Sequence, residues 1–195
     1  MAQHNFFWSW FQDNLGRIES RHETDRDGIM GEILEQLHRY NDKLFFEISE
    51  SGPQSELIIT AEGDVEQFTS VIELVERAPK LPHWNFIAFK TGIGFGFYTR
   101  FGGVHYDPDE MWFLPISHTS DDLGLRIGIP NFEDVNADVS EEAMWMILET
   151  ALGELECANN IGYVEVGSLP QEPDEMGYIE LVDLKEFIEW YNDHR

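Results

Sequence analysis

The sequence predicts an α+β fold: a mixed, largely antiparallel sheet built from two ββαβ units packed with helices, preceded by a helical pair and followed by one more helix. Three observations predict it. The hydrophobic period shifts from helical spacing to strict alternation at residue 44. The order strand, strand, helix, strand then occurs at 44–90 and again at 111–167, which reads as an internal repeat. And 42% of the 195 residues are hydrophobic and 13% aromatic, enough for a packed core despite the heavy charge. The chain reads as a single domain over 1–195, because a unit of about 50 residues is marginal alone.

Residues 5–20 place Phe7, Phe11, Leu15 and Ile18 on one helical face. The stretch His22–Gly28 is a turn, and Ile29, Ile33, Leu37 and Tyr40 mark a second helix over about 28–41. Leu44, Phe46 and Ile48 then alternate with Phe45, Glu47 and Ser49 as a strand. Ser51–Ser55 is a hairpin connection and Leu57–Ala61 the return strand. Asp64 with Gln67 forms a capping box for a helix that buries Phe68, Val71, Ile72 and Val75. Pro79 and Pro82 stop it, and Trp84–Phe89 is a strand.

The second unit repeats the order. Met111–Ile116 is a strand, His118–Asp122 a turn, and Leu123, Leu125, Ile127 and Ile129 alternate in the next strand. Asp138 with Glu141 caps a helix to about 158, with Met144, Ile147, Leu148, Ala151 and Leu155 inward. Ile161–Val166 closes the unit, so that one helix per unit would cover a shared sheet. After a loop over Pro170–Gly177, Asp183 with Glu186 caps a last helix that buries Leu184, Phe187, Ile188 and Tyr191.

The stretch Glu56–Gly63, then Phe68–Val71, Ala78-Pro79, Leu81, Trp84 and Phe89-Lys90, resembles an uncharacterised family of bacterial proteins. Leu148–Leu152 with Gly153-Glu154, and Ile161–Glu165, are similar to that family's second half. The resemblance covers about 44–167 and rests on core and turn residues. It implies the same fold and carries no assigned activity.

Charge narrows the function classes. Against 38 Asp and Glu stand 12 Lys and Arg, a formal net charge of −26. Phosphate contacts need a Lys/Arg surface, so nucleic acid is excluded as a partner. Docking on an anionic membrane surface is disfavoured by the same sign. The N-terminus lacks a basic stretch and a small-residue cleavage site, and no apolar run reaches the ~20 residues of a membrane span, so a cytoplasmic location is expected. Cys157 is the only cysteine; its apolar surroundings read as a buried, inert thiol.

The segment 91–110 breaks the rhythm with glycines and aromatics. One reading makes Phe95, Phe97, Tyr98, Arg100, Phe101 and Tyr106 a binding surface, since aromatics beside an Arg are frequent interface anchors. The other, which weighs more, makes it a Gly-rich crossing whose aromatics enter the core. His105, Asp107, Asp109 and Glu110 are possible ligands for a hard divalent cation, against the simpler reading of a solvated Asp-Pro turn. Gly92-Ile-Gly94-Phe-Gly96 is only superficially a dinucleotide fingerprint, because no helical pattern follows it. Asp25, Asp27 and Gly28 start a calcium-loop pattern without completing it, and read better as a helix N-cap. The seven His are scattered, with no i, i+4 metal pair. Glu47, Glu62 and Glu165 read as edge or solvent-face carboxylates.

No cofactor and no catalytic residue is indicated. The leading expectation is a protein–protein interaction module, such as an immunity, inhibitor or regulatory protein, that meets a basic partner. The alternative is a small-molecule-binding protein or enzyme that uses a cleft between the two repeats, with 91–110 as a lid.

Overall fold

Apolar periodicity sets most elements, and polar side chains at their ends set the boundaries. The computed structural model describes residues 3–21, 25–50, 54–116, 123–132 and 136–194. The turns expected at His22–Gly28, Ser51–Ser55 and His118–Asp122 lie wholly or partly outside the described residues. The chain forms two compact units, Met1–Lys90 and Thr91–Arg195.

In the first unit the opening helix is divided. α1 (Gln3–Asp13) and α2 (Leu15–Glu19) meet at Asn14, whose side-chain amide donates to the Trp10 carbonyl at 2.9 Å. Such local bonding by Asn competes with the helix ladder. Asp25 caps α3 (Arg26–His38), accepting from the Gly28 N–H at 3.0 Å. β1 (Phe45–Ser49) pairs antiparallel with β2 (Ser55–Thr60), and β3 (Trp84–Ala88) joins β2 in parallel. The crossover is a turn of 3-10 helix from Asp64, whose carboxylate accepts from the Glu66 N–H, and α4 (Phe68–Glu76). The core joins Phe7, Trp8 and Phe11 of α1 to Trp84 and Phe86 of β3, with the Trp8 and Phe86 rings 4.7 Å apart. The Trp8 indole donates to the Leu74 carbonyl at 2.8 Å, which satisfies the polar atom that its burial would orphan.

The second unit opens with a segment that lies on the end of its main helix. β4 (Thr99–Phe101) and β5 (Val104–Tyr106) form a small hairpin, turned by Gly102 and Gly103 at φ 56° and 85°. β6 (Trp112–Ile116), β7 (Leu123–Ile129), β8 (Ile161–Ser168) and β9 (Ile179–Glu180) form a sheet in the order β8-β7-β6-β9. β7 pairs antiparallel with β6 and parallel with β8. The crossover runs through α5 (Ala137–Leu152) and α6 (Glu154–Asn160). α7 (Leu184–His194) follows a 3-10 turn, Leu181–Asp183.

Three expectations are corrected. The two repeats do not share a sheet: each carries its own, with the hairpin's second strand central in both. The cap of α5 is Asn136, accepting from Asp138 N–H and Val139 N–H, so Asp138 sits in the first turn instead. The helix to 158 breaks at Gly153, whose φ of 91° only glycine adopts freely. The core of this unit gathers Phe113, Leu125, Ile127, Met144, Ile147 and Leu148 among others.

Candidate functional site

The Gly/aromatic segment is mainly core. Phe95 and Tyr106 are buried, and Phe97, Phe101 and Val104 pack against the same core. The Tyr106 hydroxyl and Ser140 Oγ lie 3.1 Å apart and share a hydrogen bond. Only Tyr98 and Arg100 of the six predicted binding residues are exposed. Tyr98 lies over His105 with ring centroids 5.3 Å apart, and Arg100 Nε donates to the Gly103 carbonyl at 3.4 Å. The six do not form one surface.

The glycines before them have a packing role. Ile93 N–H and Gly94 N–H donate to the carbonyls of Thr150 and Ala151 at 3.0 Å, closing the last turn of α5. A Cβ on Gly92 would stand 2.4 Å from the Leu152 carbonyl carbon. This segment therefore meets the negative end of a helix, the reverse of the polarity that holds a phosphate.

The possible metal ligands do not converge. Asp107 accepts from the Asp109 N–H at 3.1 Å and caps a short 3-10 turn, while His105, Asp109 and Glu110 are exposed. Among the described residues no group of three or more His, Cys, Asp or Glu side chains is placed to hold a metal ion. Cys157 is buried, and its thiol is pushed up to about 12, first by burial and then by the Glu149 carboxylate. A thiol so raised is neither nucleophile nor ligand at neutral pH. Glu47 and Glu62 are exposed, and Glu165 pairs with Arg126 at 2.7 Å.

Sequence reasoning missed a cleft on α7. Phe187, Trp190, Tyr191 and His194 share one face at i, i+3, i+4 and i+7. With Pro115, Ile116 and Leu123 they line an apolar cavity of about 440 Å³. The Phe187 ring meets Phe113 edge-on at 5.3 Å and Trp190 at 5.7 Å, and Trp190 stacks with His194 at 4.8 Å. Trp190 remains 54% exposed. Leu184 and Ile188, both buried, form a second apolar stripe on the same helix. One stripe suffices to hold a surface helix; a second was the signal in the sequence.

On the α7 side, the described rim of the cleft carries carboxylates. At about 100° per residue, Glu186 and Asp193 fall beside Trp190 on its outer flank, and Glu189 follows. All three are exposed, while Lys185 lies on the opposite side of the helix wheel. The carbonyl end of α7, at His194, adds partial negative charge. Chemically the site offers an aromatic floor and an anionic border, with no nucleophile or acid–base pair among its described residues. No family model matches this chain, and no curated protein or solved structure matches it.

Proposed function

We propose that this protein is an acidic protein–protein interaction module, of the immunity, inhibitor or regulatory kind, that binds a basic partner in the cytoplasm. The observation that carries the reading is where the charge goes. Arg17, Arg21, Arg39, Arg77, Lys90 and Arg126 are each ion-paired to a Glu within the fold. The large excess of carboxylates over cations is thus left at the surface, as on α4, where Glu76 is exposed, and α7. Such a field speeds encounter with a cationic partner and repels phosphate-bearing ones. We also propose a relationship to an uncharacterised bacterial family, on the residues of 44–167 named above; it would add no activity to this role.

The test is a pull-down from lysate of the source cells at low and high salt. A partner retained at low salt and released near 1 M salt, where the screening length falls to about 3 Å, is expected. No partner at low salt sinks the reading. The rival reading, a small-molecule binder, is supported by the cleft on α7, whose volume lies within the ordinary ligand range. It predicts a rise in melting temperature with some metabolite, and a flat response across a broad library counts against it.

A further inference from the structure

We propose that the cleft on α7 is the docking point for this basic partner, and that it takes an apolar side chain flanked by Arg or Lys. The inference rests on the reading above and assigns it a place. Three features define the occupant. The floor is apolar and about 440 Å³, room for one or two large side chains and too small for a packed helix face. Trp190 presents a half-exposed indole at the lip, stacked on one side by the His194 ring, and its exposed part suits the stem and head of an Arg or Lys. Glu186 and Asp193 border that indole, so a cation stacked there also meets carboxylates.

The same features exclude two other occupants. A second copy of the chain would bring Glu186 and Asp193 against their own equivalents, between molecules that each carry −26. An added β-strand is disfavoured by Pro115. β9 covers only Trp112 and Phe113, and beyond it Pro115 offers no N–H along β6 to a new neighbour. Recognition is therefore by side chains.

The experiment measures the anisotropy of three short dye-labelled peptides with the full chain at about 50 mM salt. One is an Arg-rich peptide with two adjacent central Leu flanked by Arg, one has the same composition with its two Leu moved to the ends, and one is an Arg/Ser peptide of equal charge. The first is expected to bind about tenfold more tightly than either of the others. W190A is expected to abolish that preference and to weaken the Arg/Ser peptide only by the smaller amount that one lost cation–aromatic contact represents. W190F, which keeps an aromatic ring, is expected to retain most of it. E186Q with D193N is expected to weaken the apolar peptide and flatten its salt dependence. Trp190 is half exposed, so these variants keep their melting temperature, which circular dichroism checks.

A preference that is absent, or that survives W190A, overturns the docking site. If the Arg/Ser peptide still binds in a salt-dependent way, the basic-partner reading stands without this site. If neither peptide binds and the pull-down is empty, both fall. A dimer in light scattering that W190A dissociates also overturns the proposal, because the cleft then serves a second copy.

Discussion

Tyr106 shows what a single polar atom does in an apolar setting. Its ring is fully buried and its hydroxyl shares a hydrogen bond with Ser140 Oγ, itself buried. Y106F leaves that serine oxygen without its partner, and a loss of about 1–2 kcal/mol in urea denaturation is expected. S140A added to Y106F is expected to recover part of the loss, since no orphaned hydroxyl then remains. Cys157 makes a second prediction. With its thiol pushed up to about 12, labelling by a thiol reagent at pH 8 should run about 10³-fold slower than for an exposed cysteine, and recover in denaturant. Rapid labelling of the native chain would contradict the burial. The burial of this thiol was expected from its apolar neighbours in sequence, although one of them, Leu155, is itself exposed. The partner of Tyr106 was not, since nothing in the local pattern links residues 34 positions apart.

Between elements, residues 91–94 meet the end of α5 backbone against backbone. G92A would press a methyl group onto the Leu152 backbone, and backbone cannot yield as a side chain does. A loss of about 1–3 kcal/mol is expected, read as a fall in melting temperature. G96A, which meets open space within 4 Å, is the comparison and should cost far less. Elements with one clean period were placed well along the chain, as in the hairpin of β1 and β2, the alternating β7 and the helix α4, but the inward faces were less exact: α4 buries Leu74 where Ile72 was expected, and Leu155 is exposed. What period could not show is where a helix stops for a single residue. Gly153 ends α5 inside an unbroken apolar pattern, and Asn14 divides α1 from α2 without changing the buried face. The hairpin of β4 and β5 was hidden because its strands are three residues each, shorter than the alternation needed to reveal them. The cleft of α7 was only half legible: Phe187 and Tyr191 were read as core, and the continuation through Trp190 and His194 was not used.

For the whole molecule the net charge of −26 is the dominant fact. Like charges are packed closer in the folded chain than in the unfolded one, so folding is opposed by self-repulsion. Urea midpoints should therefore rise as sodium chloride goes from about 10 mM to a few hundred millimolar, and level off once the Debye length is below about 8 Å. A chain whose stability falls with salt would contradict this. One ion pair acts in the opposite sense on acidification. The Arg17 guanidinium holds the Glu32 carboxyl below its ordinary value through hydrogen bonds of 2.7 and 2.9 Å. A carboxylate lowered in the folded state stabilises fully above its unfolded pKa, and that help is lost as pH falls through the folded one. Moderate acidification thus relieves repulsion first and breaks this pair last. E32Q should leave the profile near neutrality almost unchanged and alter only its acid limb.

The parallel pairing of β7 with β8 has a consequence during synthesis. β6 and β7 are neighbours along the chain and can zip as soon as both emerge. β8 begins at Ile161, so β7 must wait for α5 and α6 with one backbone edge unpaired. An apolar strand waiting in that state is prone to stick to other nascent chains. Within Leu123–Ile129 a single charge, Arg126, interrupts the apolar residues. Before β8 arrives it acts as a gatekeeper against aggregation; afterwards Glu165 neutralises it across the finished ladder. R126L should therefore lower the yield of soluble chain on expression more than it lowers the melting point of the chain once folded.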